Sequence, residues 1–285
     1  ALTARPLEWV SMRASIAHLR NFLRKKHEAD DRAMSIPHRT RTPFLPTPWL
    51  IWPLALLILL PAMELTGIDH AVSKWFYDAS LHEFPLRNTF LLETVMHYWT
   101  KYAVILATCL FAAAFGLTYL FPSLRKHRRM LLFITLAMTL APLTVTALKQ
   151  VTDRPCPWDL GEFGGAVAYT HLFQARPEPH TQGQCFPAGH ASTGYALLAL
   201  YFAAHNARRR RMARIALAAG IGAGLLLGIG RVAQGAHFIS HVLWSGLVCW
   251  SVMTLLYALL MRPVVNPPLY GRTDPRLGFP QQLPD

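Results

Sequence analysis

Arg231 and His237 stand six residues apart, and His241 follows four residues later, at the junction of two long apolar runs. A guanidinium forks onto two oxygens of a phosphate, and an imidazole can attack phosphorus or shuttle a proton near neutral pH. Two further groups of this kind sit where other apolar runs end: Lys149 with Arg154-Pro155, and Phe186-Pro187-Ala188-Gly189-His190. Taken singly, Lys149 and Arg231 also read as snorkelling anchors that end a span. Taken with His190 and His237, they describe a cradle for a phosphate ester. Lys149, Arg154 and Arg231 would hold its oxygens, and Gly189 would let the backbone approach them closely. If His190 opens a helix, the first amides of that helix would face the same anion.

His237 and His241 are four residues apart and share one helical face. Two chemistries stay open for them. His237 attacks phosphorus and forms a phosphohistidine while His241 orients its ring, or the two rings bind a metal. The metal alternative lacks a clear acidic third ligand, with Asp153, Asp159 and Glu162 as the carboxylates to consider.

Apolar runs must position these residues. Six of them, roughly 49–66, 102–121, 130–148, 189–207, 214–230 and 240–261, have the length that crosses a bilayer. The segments 102–121, 130–148 and 242–261 hold no Asp, Glu, Lys or Arg, which excludes a soluble helix with a charged face. The expected fold is all-α, a bundle of six transmembrane helices over 49–261, preceded by a basic segment 1–48 and followed by a tail, 262–285, rich in Pro and Gly. Residues 7–23 read either as an amphipathic surface helix or as a disordered basic tail. No apolar core of a cleavable signal peptide precedes residue 49, so the first span is expected to act as the internal targeting signal.

The formal charge of +13 invites a nucleic-acid reading, but its placement argues against one. Arg125, Lys126, Arg128 and Arg129 fill the connection between spans two and three, and Arg208 to Arg211 with Arg214 fill that between spans four and five. The positive-inside rule makes these connections and both tails cytoplasmic, where the excess charge meets anionic lipid. The opposite ends are then 67–101, 149–189 and 231–239, and Lys149, Arg154, Arg231 and His237 fall in these segments, with His190 at the boundary of one. The long polar connection 149–189 is expected to be functional, and 67–101, with Trp75, Phe76, Tyr77 and Trp99, to be an interfacial helix or a plain connector.

With these blocks in view, the chain resembles the type 2 phosphatidic acid phosphatase family over roughly residues 50–260. The family's lysine followed by Arg-Pro, its Pro-Ser-Gly-His block and its Arg-x5-His-x3-Asp block correspond here to Lys149 to Pro155, Pro187-Ala188-Gly189-His190 and Arg231-x5-His237-x3-His241. The resemblance implies a lipid phosphatase with His237 as nucleophile and His190 as general acid. Lys149, Arg154 and Arg231 would bind the phosphoryl oxygens, with no metal or other cofactor required. Three positions depart from the pattern. Four residues separate Lys149 from Arg154 where the family commonly has six. Ala188 replaces a serine, and His241 replaces the aspartate that orients the nucleophile. Asp159 is the candidate substitute carboxylate.

Cys156 and Cys185 both fall in the long outer connection, which would be oxidising in a periplasm. A bridge there closes a loop of about 30 residues, contributes about 3.5 kcal/mol in the entropic account, and draws Arg154 towards His190. Cys109 and Cys249 read as small apolar residues within spans.

The expected function is hydrolysis of a lipid phosphate or diphosphate (undecaprenyl diphosphate, phosphatidic acid, phosphatidylglycerophosphate or lipid A type) at the periplasmic face of a bacterial inner membrane. Membrane lipids are the expected surroundings, and no nucleic acid or identifiable protein partner is implied. A lipid-to-lipid phosphotransferase using the same site, and a non-catalytic lipid-binding or transport protein on the same fold, are the alternatives.

Overall fold

A computed structural model describes residues 24–25, 46, 48–171, 174, 176 and 182–261. The expectations for 7–23 and for the tail 262–285 lie outside these residues. The chain divides into two units, Ala1–Pro43 and Phe44–Asp285, and all the helices below belong to the second.

Among the described residues, helices dominate and no strand forms beyond isolated bridges. We number them α1 (Pro48–Leu65), α2 (Ile68–Lys74), a π-helical segment (Leu91–Trp99) that runs directly into α3 (Thr100–Leu120), α4 (Arg128–Thr152), α5 (Gly189–Tyr195), α6 (Leu198–Asn206), α7 (Arg210–Ala233) and α8 (Ile239–Leu260). Among the described residues, five helical stretches are long and apolar enough to cross a membrane: Pro48–Leu65, Leu91–Leu120, Pro122–Thr152, Arg210–Ala233 and Ile239–Leu260. Their outward faces carry large apolar side chains such as Ile58, Leu110, Leu143, Leu226 and Leu255, as lipid contact requires. Several hydroxyls inside these spans are satisfied locally. The hydroxyls of Thr108, Thr144 and Thr146 donate to the carbonyls of Val104, Leu140 and Pro142, one turn back.

The expected fourth span is not one helix. It is split into α5 and α6, joined through Ala196 and Leu197 by tightened i to i+3 bonds, Leu197 N to Gly194 O (3.2 Å) and Ala199 N to Ala196 O (3.1 Å). The cause lies in packing against α7. A Cβ on Gly194 would sit 2.6 Å from the carbonyl carbon and oxygen of Ala223, so the two backbones touch where Gly194 has no side chain.

The bundle has two chemically distinct ends. At one, Arg129 reaches the Leu260 carbonyl and Tyr257 donates to Asn206 (3.0 Å), which gathers the start of α4, the end of α6 and the end of α8. The basic connections 121–129 and 207–211 lie here. Trp49, 2% exposed, packs here against Tyr201, Phe202, Trp250 and Tyr257. The other end holds the end of α4, the start of α5 and the α7–α8 junction, hence Lys149, His190, Arg231, His237 and His241. The structure therefore puts the candidate chemistry at the end away from the basic loops.

Candidate active site

Helix α4 delivers Lys149 in its last turn and then stops, because Asp153 adopts the left-handed conformation (φ 45°) and turns the chain out of the helix. Beyond it, Cys156 and Cys185 are joined by a disulfide, with their Cα atoms 5.1 Å apart. Next to the bridge, Cys185 N donates to Arg154 O (3.0 Å), and the short turn Pro157–Asp159 docks on the α7–α8 junction through Trp158 N to Gly235 O (2.9 Å). The disulfide thus ties the end of α4 to the segment leading into α5, by way of a cis Phe186-Pro187 peptide.

The carbonyl of Cys185 is the pivot of the site. His237 Nδ1 lies 2.7 Å from it and His241 Nδ1 2.9 Å. A carbonyl oxygen can only accept, so each Nδ1 donates and each Nε2 of the neutral ring keeps its lone pair. His237 is 4% exposed. Burial, followed by the His241 ring and the Lys149 and Arg231 cations, pushes its pKa well below the ordinary histidine value; the Cys185 carbonyl pulls weakly the other way. The imidazole is held as a neutral base with a fixed ring plane, the state a nucleophilic histidine needs.

The orienting bond expected of His241 is therefore made by a backbone carbonyl. The His237 and His241 rings are 6.0 Å apart at their centroids and hang from one acceptor side by side. Asp159 does not substitute for the missing aspartate. Its carboxylate accepts from Cys156 N (3.0 Å) and closes its own turn. The buried carboxylate near His241 is Asp69 of α2, 2% exposed, which accepts from Ser240 N (2.9 Å) and Ser240 Oγ at the start of α8.

His190, in the first turn of α5, faces the same two cations as His237, namely Lys149 and Arg231. Its Nε2 is buried and has no partner among the described residues. A Cβ on Gly189 would meet Lys149 Nζ at 3.7 Å, so the lysine head lies beside the glycine in ordinary contact. Arg231 is anchored by Glu93 (3.2 Å) and by Gln234 Oε1 (2.8 Å), while its Nε is buried without a partner. Lys149 and His190 line one side of a cavity of about 620 Å³ between α3 and α4, whose remaining lining is largely apolar (Val104, Ile105, Met138, Pro142).

Arg154 is not brought to this cradle. Its guanidinium donates to Thr170 Oγ1 (3.1 Å) and to the Gln174 carbonyl (2.8 Å) and lines a separate small cavity with Glu64, Asp69, Tyr169 and His241. Because α4 ends at Thr152, Arg154 leaves the helix axis and pairs its backbone with Gln184 instead of continuing beyond Lys149. Residues that sequence reasoning passed over are Asp69, Glu93, His97 and Gln234. All but Gln234 lie in or next to the segment read as an aromatic connector. A carboxylate and an imidazole four residues apart at the head of a long apolar run were the available signal.

Residues 130–263 match the PAP2 superfamily. The chain is 24% identical over 212 residues to a lipid A 4'-phosphatase of Francisella tularensis subsp. novicida (strain U112), an alignment spanning 72% of this chain and 89% of that protein. A crystal structure of a transmembrane PAP2-type phosphatidylglycerolphosphate phosphatase from Bacillus subtilis superposes with a TM-score of 0.42 at 19% identity, covering 73% of this chain and 94% of that one. With its histidines, cations and apolar helices in these places, this multi-pass membrane chain matches the PAP2 superfamily over residues 130–263 and is similar to membrane lipid phosphatases of that family.

Proposed function

We propose that the protein hydrolyses a lipid phosphate through a phosphohistidine on His237, at the extracytoplasmic face of a bacterial inner membrane. The observation that carries the reading is the neutral, buried His237 ring, pinned at Nδ1 by the Cys185 carbonyl and facing Lys149 and Arg231. Its Nε2 lone pair attacks phosphorus, and the bond from phosphorus to the lipid oxygen breaks. The departing oxygen takes a proton from His190 Nε2. Water then attacks the phosphohistidine, His190 recovers a proton from that water, and the P–N bond breaks to release inorganic phosphate. Lys149 and Arg231 stabilise the charge that grows on the equatorial oxygens, where fixed cations need no reorganisation.

The cavity between α3 and α4 supports a lipid substrate, since its polar end holds Lys149 and His190 and its wall is apolar. Among phosphorylated lipids, a lipid A type substrate draws support from the matched relative, a lipid A 4'-phosphatase by name. The extracytoplasmic assignment rests on the arginine-rich connections at the other end of the bundle, which the positive-inside rule keeps in the cytoplasm. Purified protein in detergent, offered lipid A, phosphatidylglycerophosphate, phosphatidic acid and undecaprenyl diphosphate, should release inorganic phosphate from at least one, and His237→Ala should release none. Phosphate passed to a second lipid without release would establish a phosphotransferase instead. A wild-type protein inactive on the whole panel would overturn the enzymatic reading.

A further inference from the structure

The π-helical segment Leu91–Trp99 enters the site from a part of the chain that none of the three phosphate-binding blocks includes. Glu93 fastens it. One carboxylate oxygen takes Arg231 (3.2 Å) and Gln234 Nε2 (3.1 Å), and the Gln234 amide, fully buried, also donates to the Arg87 carbonyl (2.8 Å). Met96 completes the seat: a Cβ on Gly230 would stand 3.1 Å from Met96 Cε, so glycine at 230 lets the segment close on the end of α7. Four residues after Glu93 comes His97. Its ring lies on that of His190, centroids 3.6 Å apart with a 34° tilt.

Two buried ring nitrogens in this stack have no partner among the described residues, Nδ1 of His97 and Nε2 of His190. A buried imidazole nitrogen left unpaired is costly, and pairs of such atoms in one place mark a position that a ligand fills. The charged groups that act most strongly on His97 are Arg231, Glu93, Lys101 and Lys149, mostly cations, and Glu93 is already engaged by Arg231 and Gln234. The ligand that suits two imidazoles and these cations is an anion with several oxygens.

We propose that His97 is a third histidine of the phosphate site, donating from Nδ1 to a non-bridging phosphoryl oxygen while its ring holds His190 in the plane from which Nε2 reaches the leaving oxygen. The inference rests on the phosphatase reading and adds to it a catalytic residue outside the family's blocks. It also explains why the segment preceding α3 is built in π geometry, a departure from regular helix that recurs at functional sites.

Orthovanadate titrated into the purified full chain in detergent tests the proposal without relying on turnover. His97→Phe keeps a ring on His190 but removes both nitrogens, whereas His97→Asn keeps an amide donor near the Nδ1 position. Loss of one hydrogen bond to a charged group predicts that His97→Phe weakens vanadate binding about 10- to 100-fold, with His97→Asn recovering at least part of it. The thermal transition of each variant reports folding alongside. Wild-type affinity in His97→Phe, or an Asn variant weaker than the Phe variant, would reduce His97 to a packing residue and leave the phosphatase reading intact. Vanadate bound by neither wild type nor variant would remove the phosphate site itself, and both readings with it.

Discussion

The two ends of this bundle are built on opposite principles. At the basic end the buried polar groups of the aromatic cluster are paired. Trp49 Nε1 donates to Tyr201 Oη (2.7 Å), Trp250 Nε1 to the Trp49 carbonyl (3.0 Å), and Arg128 both donates to Thr118 and stacks over Tyr119 at 4.0 Å. At the other end, His97 Nδ1, His190 Nε2 and Arg231 Nε are buried without a partner among the described residues, in a region that also holds Lys149 and the buried His237. Satisfied polar groups and interlocked rings hold helices together; unsatisfied ones in a cationic pocket wait for a ligand. The comparison predicts that substitutions at one end change stability and leave chemistry alone, and that those at the other do the reverse.

The largest effect should come from the nucleophile. His237→Ala is expected to lower kcat by about 10⁴-fold or more while the thermal transition in detergent moves little, because residues that act in one chemical step fail together. Its counterpart at the basic end is Trp49→Ala, which empties space beside Phe202, Trp250 and Tyr257 and should cost about 3 kcal/mol. Per folded molecule it should leave KM and kcat where they were. A Trp49 variant that folds normally but has lost its activity would break the division between the ends.

The next effect joins the two functions in one covalent bond. Reducing Cys156–Cys185, or replacing both by serine, releases a loop with a sequence separation of 29 residues and should cost about 3.5 kcal/mol of stability. Because the Cys185 carbonyl holds Nδ1 of both His237 and His241, activity should fall as well. Phosphate release measured with and without reductant, below the thermal transition of the reduced protein, separates the two outcomes. Full activity in the reduced protein would show that the carbonyl keeps its place without the bridge.

A smaller effect separates the two arginines that the sequence placed in one cradle. Arg231→Ala should lower kcat/KM about 100-fold, the loss of charge-assisted bonds to phosphate. Arg154→Ala, whose guanidinium is spent on Thr170 and the Gln174 carbonyl, should lower it less than about fivefold by the same reasoning. Equal losses would mean that Arg154 swings into the site when substrate binds.

What could be read from the chain beforehand follows from how far each feature depends on distant contacts. The long helices were legible because 102–121, 130–148 and 242–261 carry no charge, a local property. The break between α5 and α6 was not, since it depends on Gly194 touching Ala223 across the bundle. Lys149, His190, Arg231 and His237 were legible as residue types at the ends of apolar runs. The acceptor for His237 was not, because every residue has a carbonyl and nothing in a sequence marks the one at Cys185. Arg154 was misplaced for a local reason, the left-handed turn at Asp153. His97 was hidden because only the Glu93–Arg231 pair and the close approach at Gly230 bring its segment to His190.

The finest distinction between the ends is electrostatic and appears as a pH dependence. The His237 pKa is held well below the ordinary value by burial first, then by the His241 ring and the Lys149 and Arg231 cations. A depressed value keeps the ring neutral as the solution is acidified, so the nucleophile is lost only when pH falls through that lowered value. The acid limb of kcat/KM, which reports the free protein, should therefore lie below pH of about 6.5, the ordinary histidine value. Lys149→Met removes one of the two cations and should move that limb towards higher pH, on top of any loss in rate from weaker phosphate binding. Lys101 is not among the largest influences on His237, so Lys101→Met should move the limb less than Lys149→Met does. A limb that stays fixed in the Lys149 variant would mean that burial alone sets the nucleophile's protonation, and that the cations at this end serve the phosphate and not the histidine.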